Sequence, residues 1–503
     1  MDIFSGLAQG FAIALTPWNL LYAAIGAILG TAIGVLPGLG PPATIALLLP
    51  ATYKIDATGA VIMVAGIFYG AMYGGSTTSI LLNIPGEAAS VVTCLDGYKM
   101  ARQGRAGAAL GISAMGSFIA GTLGVLGLSL LAPPLAAFAL KFGPAEYFAL
   151  IILGLVMAIY LSEGSVLKGL MMAATGLVLG MIGLDPVQGA ERFTFGLPKL
   201  TDGFDFVVVA MGLFGVTEVL SNVEAPEVRD IFQTALKGLL PTREDWRQCW
   251  ASVVRGSFLG FFIGILPGGG AIISSFMAYA VEKRVSKHPE RFGQGAIEGV
   301  AAPESANNAA ASSSFIPLLT LGIPGNASIA MIFVALMIHG IRPGPLLLQE
   351  HPDLFWGVVA SMYIGNAMLL ALNLPLIGMW VRLLKVPYNY LAAGVLIFCI
   401  IGAYSVNNSA FDVGTVVVFG AIGYLLRKGG FPAAPLVLAM ILGPHLERTL
   451  QQSLIGSGGD PRVFVQSPIS AILMLVTAGL VLSPAIRWLW QNYRDGRALR
   501  TAA

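Results

Sequence analysis

The chain has 503 residues, of which only 11 % are charged (Lys+Arg 28, Asp+Glu 26) and 56 % are hydrophobic; its mean hydropathy is +0.80. An ordinary soluble domain carries about 25 % charged residues and about 45–50 % apolar ones, so a soluble enzyme is excluded, and the net charge of +2 gives no pull toward nucleic acid. Gly and Pro together make 92 of the residues, and among Leu, Ile, Val, Ala and Met that excess points to a polytopic membrane protein with broken helices.

In chain order, apolar runs long enough to enter or cross a bilayer lie near 20–36, 58–82, 107–132, 145–161, 166–184 and 204–220. A polar stretch, 221–250, follows; the spacing of Val228, Ile231, Phe232, Ala235 and Leu239 predicts an amphipathic interfacial helix. The runs resume near 252–266, 298–321, 326–338, 354–381, 388–404, 411–426, 432–443 and 468–490. Two runs, 41–52 and 271–281, are too short for an ordinary span. The first 30 residues lack a basic n-region, so no cleaved signal peptide is expected. Cys94, Cys249 and Cys399 offer neither a disulfide framework nor metal-ligand spacing, and the four histidines are equally scattered.

An internal repeat organises the chain. Gly26-x-x-x-Gly30-x-x-x-Gly34-x-Leu36-Pro37-Gly38-x-Gly40 returns as Gly256-x-x-x-Gly260-x-x-x-Gly264-x-Leu266-Pro267-Gly268-x-Gly270. Ile84-Pro85-Gly86 returns as Ile323-Pro324-Gly325, and Pro144-x-x-Tyr147 as Pro387-x-x-Tyr390. Basic loops fall at opposite places in the two halves: Lys99, Arg102 and Arg105 in 96–106 against Arg342 alone in 339–353, and Lys283, Arg284, Lys287 and Arg291 in 282–293 against Lys54 in 53–58. By the positive-inside rule the repeats have opposite membrane orientation, which places the C-terminal tail in the cytoplasm. The expected fold is all-α, with two inverted-topology repeats carrying re-entrant hairpins and broken helices: 1–203 the first repeat, 204–251 a linking helix and cytoplasmic segment, 252–430 the second repeat, and 431–503 C-terminal helices and a basic tail.

Inverted repeats with paired interruptions mark many secondary transporters, whose binding sites form where the halves meet. The stretch from Leu36 to Pro42 holds three prolines and two glycines and cannot be helical; Leu266 to Gly270 has the same character. Each precedes a short apolar run, as the elbow of a re-entrant hairpin would. A helix restarting after such an elbow points free N–H groups outward and favours an anion. Gly38, Leu39, Gly40, Gly268, Gly269 and Gly270 are therefore candidate anion-binding residues.

A second, polar pair of breaks runs from Ser76, Thr77, Thr78 and Ser79 to Asn83-Ile84-Pro85-Gly86-Glu87, and from Pro303-Glu304-Ser305-Ala306-Asn307-Asn308 and Ser312-Ser313-Ser314 to Gly322-Ile323-Pro324-Gly325-Asn326. Ser76, Thr77, Thr78, Asn83, Asn307, Asn308 and Ser313 are candidate substrate ligands. Carbonyls at Pro85, Gly86, Pro324 and Gly325, with Glu304, are candidate cation ligands, for Na+ and no other metal. The plain structural alternatives are that each hydroxyl bonds its own i−4 carbonyl, that the glycine triplets are helix-packing surfaces, and that Lys99, Arg102 and Arg105 only set topology. Glu87 and Glu304 would be costly in mid-membrane and so functional by default, unless water reaches them at the breaks.

At these residues the sequence resembles the large membrane subunit of the tripartite tricarboxylate transporters, the TctA family. The resemblance rests on Gly34-Val35-Leu36-Pro37-Gly38-Leu39-Gly40-Pro41, on Tyr73 through Gly86, on Asp96-Gly97-Tyr98, on Pro303-Glu304 with Ala306-Asn307-Asn308, and on Leu321 through Gly325; it covers roughly 15–430. It implies a bacterial inner-membrane secondary transporter of about 12 spans. It also implies partnership with a small four-span membrane subunit and a periplasmic solute-binding protein. The implied substrates are tricarboxylates, dicarboxylates or aromatic acids, taken up with Na+ or H+ and without another cofactor. Bringing a trivalent anion inward against about 150 mV costs about 10 kcal/mol, and the chain has no Gly-x-x-x-x-Gly-Lys-Ser/Thr loop for ATP. Cation symport is the sufficient route, with a hairpin-bearing domain sliding against a scaffold in the manner of an elevator. The rival readings are a channel or exporter for organic anions, and an intramembrane hydrolase with His339 as its nearest base.

Overall fold

A computed structural model of the chain describes residues 2–36, 40–162, 165–185, 189–224, 238–268, 270–384 and 388–482. The described residues are overwhelmingly helical; strand is confined to a two-residue antiparallel pair, β1 (Gly183–Leu184) and β2 (Glu191–Arg192). Nine described helices are long and apolar enough to cross a membrane. The chain is an all-α polytopic membrane protein.

The first part holds α1 (Ile3–Ala14), α2 (Pro17–Val35), α3 (Pro41–Thr52), α4 (Ala57–Leu82), α5 (Thr93–Met100), α6 (Ala106–Ala139), α7 (Pro144–Leu161) and α8 (Val166–Gly180). The middle holds α9 (Phe206–Ala210) and α10 (Thr217–Glu224), joined by a π-helical segment. Then come α11 (Arg243–Ile265), α12 (Gly270–Val285), α13 (Glu298–Ser313), α14 (Phe315–Leu321), α15 (Ala327–Ile338), α16 (Leu347–Glu350), α17 (Pro352–Asn373) and α18 (Ile377–Leu383). The last are α19 (Tyr388–Asn407), α20 (Ala410–Lys428), α21 (Ala433–Gly456) and α22 (Val463–Gln466).

The two short apolar runs, 41–52 and 271–281, are the helices α3 and α12. Both start directly after the Leu-Pro-Gly breaks. The expected interfacial helix around 228–239 falls largely outside the described residues, as do Pro387 and the tail beyond 482. The sequence pattern missed α1. It packs on α17 because Gly6 and Gly10 offer no side chain where the buried Trp356 presses against it.

The same helix pairing occurs in both halves. In the first, α2 lies so close to α4 that a Cβ on Gly26, Gly30 or Gly34 would overlap the carbonyl oxygens of Met63, Ile67 or Ala71. In the second, Gly256, Gly260 and Gly264 of α11 meet the backbone of Ala302, Ala306 and Ala310 of α13 in the same manner. The partners on α4 and α13 differ by 239 in every case, the offset that also relates Ile84-Pro85-Gly86 to Ile323-Pro324-Gly325. Close approach of this kind gains dispersion and backbone dipole contact where lipid removes the hydrophobic drive between helices. Residues 58–82 of α4 are buried almost throughout, and they form the central post of the molecule.

Candidate functional site

Each half ends its central helix in the same way. Asn83 terminates α4 in the left-handed conformation (φ 60°) and Gly322 terminates α14 likewise (φ 70°). The Ile-Pro-Gly that follows cannot continue a helix, since proline lacks the N–H and restrains its predecessor. Gly86 then tucks against the Gly34 carbonyl, where a Cβ would overlap it. Gly325 lies against Pro267, and its carbonyl accepts from the Gly268 N–H at 2.6 Å. Thus the Pro-Gly end of the central helix rests on the last turn of α2 in the first half and on the Leu-Pro-Gly elbow itself in the second.

The next residue restarts the chain. Glu87 caps the turn Ala88–Ser90 through Oε2, which accepts from the Ala89 N–H at 2.8 Å. Asn326, at the equivalent position, caps α15 through Oδ1, which accepts from the Ile329 N–H at 3.0 Å. Such a cap satisfies one of the free donors of a helix start.

These restarts surround one cavity of about 550 Å³. Its wall contains Gly40, Pro41 and Pro42 at the start of α3, Gly268 and Gly270 at the start of α12, and Asn326, Ala327 and Ser328 at the start of α15. Glu87 and Ala88 complete this polar end. The remainder comes from Phe68 and Met72 of α4, the end of α7, and α10, α20 and α21, which bring Thr217, Glu218 and Arg427. Arg427 and Glu218 form an ion pair with each other. Three helices of 12, 16 and 12 residues therefore direct their positive ends toward one space, which suits an anion.

Gly40, Gly268, Gly270 and Gly325 from the sequence reading line this cavity. Gly38, Leu39 and Gly269 lie outside the described residues. Gly86 is buried behind the wall, Pro85 is exposed, and Pro324 is buried. Asn83 is an exposed helix terminator. Ser328, Thr217 and Arg427 were missed, and Asn326, read as the end of the second polar break, was not singled out as a ligand. The repeat offset from Glu87 would have found Asn326; Arg427 reads in sequence as one more basic helix end.

The polar helix residues make a separate, fully buried network. Glu304 of α13 accepts through Oε2 from Ser76 Oγ and through Oε1 from Thr93 Oγ1, with Asn307 Nδ2 at 3.4 Å. Asn308 Nδ2 donates to Ser117 Oγ at 2.8 Å and to the Glu304 carbonyl at 3.0 Å. Thr78 Oγ1 donates to the Val35 carbonyl at 2.6 Å, fixing α2 at the point where it breaks. Ser79 Oγ donates to the Gly75 carbonyl at 3.0 Å and meets Ser90 Oγ at 2.9 Å, while Ser313 bonds its own helix at Ala310. Thr77 is buried on the same helix. None of these side chains belongs to the cavity wall.

A further clamp joins the halves beside this network. Asp96 Oδ1 accepts from the backbone N–H groups of Gly293, Gly295 and Ala296, each at 2.8 Å, and Oδ2 accepts from the Tyr279 hydroxyl at 2.9 Å.

The family model described as the tripartite tricarboxylate transporter TctA family matches residues 20–438. The chain is 52 % identical over 490 residues to an Agrobacterium vitis protein described as an uncharacterized 52.8 kDa protein in the TAR-I ttuC' 3'region, covering 97 % of this chain and 98 % of that one. It is 53 % identical over 231 residues, 45 % of this chain and 96 % of the relative, to an uncharacterized protein in the TAR-II ttuC' 3'region of the same organism. No solved structure matches.

Proposed function

The chain belongs to the tripartite tricarboxylate transporter TctA family, and from that premise we propose that it is the large membrane subunit of a binding-protein-dependent importer of carboxylates, driven by symport of Na+ or H+. The observation that carries this reading is the convergence of α3, α12 and α15 on one cavity, with a hairpin elbow from each half in its wall. A carboxylate there is held by backbone N–H groups at Gly40 and Gly270, with Gly268 in the wall beside them and Gly38, Leu39 and Gly269 adjoining in sequence. Hydroxyl and amide groups of Asn326 and Ser328 add direction. The carbonyls beside Pro85 and Pro324, and the carboxylate of Glu304, are the groups available to Na+. In the bacterial inner membrane a small four-span subunit joins the chain, a solute-binding protein in the periplasm completes the transporter, and the hairpins move against the remaining helices to carry the site across.

Co-reconstitution of the three components in proteoliposomes tests this. Labelled citrate, succinate and benzoate are offered with imposed Na+ or pH gradients. Accumulation of at least one that depends on a cation gradient is expected. Uptake undiminished after both gradients are collapsed overturns symport, and conductance without coupling supports a channel instead.

A further inference from the structure

Resting on the carboxylate reading of the cavity, we infer that Glu87 is a proton-binding residue of that cavity, and that an anion and a proton occupy it together. The two halves supply the comparison. At equivalent positions, Asn326 and Glu87 each cap a chain restart with one side-chain oxygen, at 3.0 and 2.8 Å from the N–H they accept. Asn326 shows that a neutral acceptor is enough for the cap. Glu87 carries a second oxygen, Oε1, which is buried and has no hydrogen-bond partner among the described residues, on a side chain nine-tenths buried in the cavity wall. A free carboxylate oxygen buried without a donor is costly in its ionised form.

Glu87 itself lines the space into which three helix N-termini point. Ionised, it competes with a substrate carboxylate for the same positive ends, and two like charges there repel strongly in a medium of low dielectric. Neutral, it leaves those ends to the substrate. The proton comes from water on the side where the cavity loads and returns to water where the anion leaves, so one proton accompanies each anion.

The neighbouring ionisable groups do not take this role. The turn bearing Glu87 packs on α4, α12 and α13 and runs on into α5. From α13, Glu304 acts electrostatically on Glu87, and both its oxygens already accept from hydroxyls. On α4, Tyr73 donates to Asn366, while Tyr69 lies against Gly365. On α12, Tyr279 donates to Asp96 and Glu282 pairs with Arg255; Lys283 and Arg284 occupy its last turn, far along the helix from Gly270. On α5, Cys94 lies beside Ser90 and Asp96 is fully engaged by Tyr279 and three backbone donors. Across the cavity, Glu218 and Arg427 neutralise each other.

The test is calorimetric titration of the purified full-length chain in lipid nanodiscs with citrate, succinate and benzoate, in buffers of different ionisation enthalpy. At pH values high enough that Glu87 is ionised before binding, the wild type is expected to take up close to one proton per anion bound, after the anion's own titration is subtracted, and its Kd to rise tenfold per pH unit over that range. Glu87→Gln keeps an acceptor for Ala89, so it is expected to bind the same anion with proton uptake near zero and a Kd independent of pH. Asn326→Asp adds a second carboxylate at the same helix ends and is expected to weaken binding at high pH at least tenfold. Equal proton uptake by wild type and Glu87→Gln across the pH range overturns the inference, as does zero uptake by the wild type at every pH where binding is measurable or an unchanged Kd in Asn326→Asp. Absence of binding by all three anions overturns the carboxylate reading itself, and the inference with it.

Discussion

The hydroxyl of Ser76, in the first half of the chain, donates to the carboxylate of Glu304 in the second. Both side chains are completely or almost completely buried, Ser76 on α4 and Glu304 on α13. A buried carboxylate is tolerable when its oxygens are satisfied and costly when they are not.

Removing the carboxylate therefore strands several donors at once. Glu304→Ala leaves Ser76, Thr93 and Asn307 without their acceptor and is expected to cost about 3 kcal/mol or more. Glu304→Gln keeps one acceptor oxygen and should cost roughly half as much. Thermal unfolding in detergent, followed by intrinsic fluorescence, gives the comparison. A double-mutant cycle with Ser76→Ala should show coupling of about 1–2 kcal/mol; additive effects would mean that the two side chains do not interact.

Helix proximity makes the matched glycines sensitive in both halves. A Cβ at Gly30 would sit 2.5 Å from the Ile67 carbonyl oxygen, and at Gly260 it would overlap that of Ala306. Gly30→Ala and Gly260→Ala must push whole helices apart, with an expected loss of about 1–3 kcal/mol each. Gly414→Ala on α20, where nothing lies within 4 Å, should be neutral or stabilising by up to about 1 kcal/mol. Yield of monodisperse protein on size exclusion ranks the three; similar profiles would refute the close packing.

The Asp96 clamp holds the segment from Gly293 to Ala296 by three backbone donors. Asp96→Ala leaves those donors unpaired, so the loop after α12 should open. Tryptic cleavage after Lys287 and Arg291, both exposed, is expected to quicken at least tenfold, while cleavage after Arg102 and Arg105 changes less. An unchanged digestion pattern would show that the loop is held by something other than the carboxylate.

Opposite effects are expected across the cavity from the Glu218–Arg427 pair. Glu218→Gln frees the guanidinium to attract an anion and should lower the Kd for a bound carboxylate severalfold. Arg427→Gln should raise it by a similar factor, and 0.5 M salt should shrink both differences because the pair is partly exposed. Calorimetric titration at two salt concentrations checks the signs. A same-direction effect of the two variants would remove Arg427 from anion attraction.

Much of the architecture was legible because membrane helices are written in long apolar runs and broken by Pro and Gly. Ala57–Leu82, Pro144–Leu161 and Pro352–Asn373 fall where those runs fall. The short helix Ile3–Ala14 was not legible, since its fixing partner, Trp356, lies some 350 positions away. The candidate site divided along physical lines. Backbone elbows could be found from composition, but where Ser76, Thr78 and Asn308 point depends on which helices face them, and that is not local information.

By itself the sequence determined that the chain is helical, membrane-embedded and built on a repeated Gly-triplet and Pro-Gly pattern, because these follow from hydropathy and from the backbone limits of Gly and Pro. Only the tertiary structure decided that the glycine triplets of both halves rest on the backbone of their central helices, that Ser76, Thr93 and Asn307 converge on Glu304, and that Glu87 stands where the other half has Asn326. These depend on contacts between residues hundreds of positions apart, set by close packing and by the need to satisfy each buried polar atom.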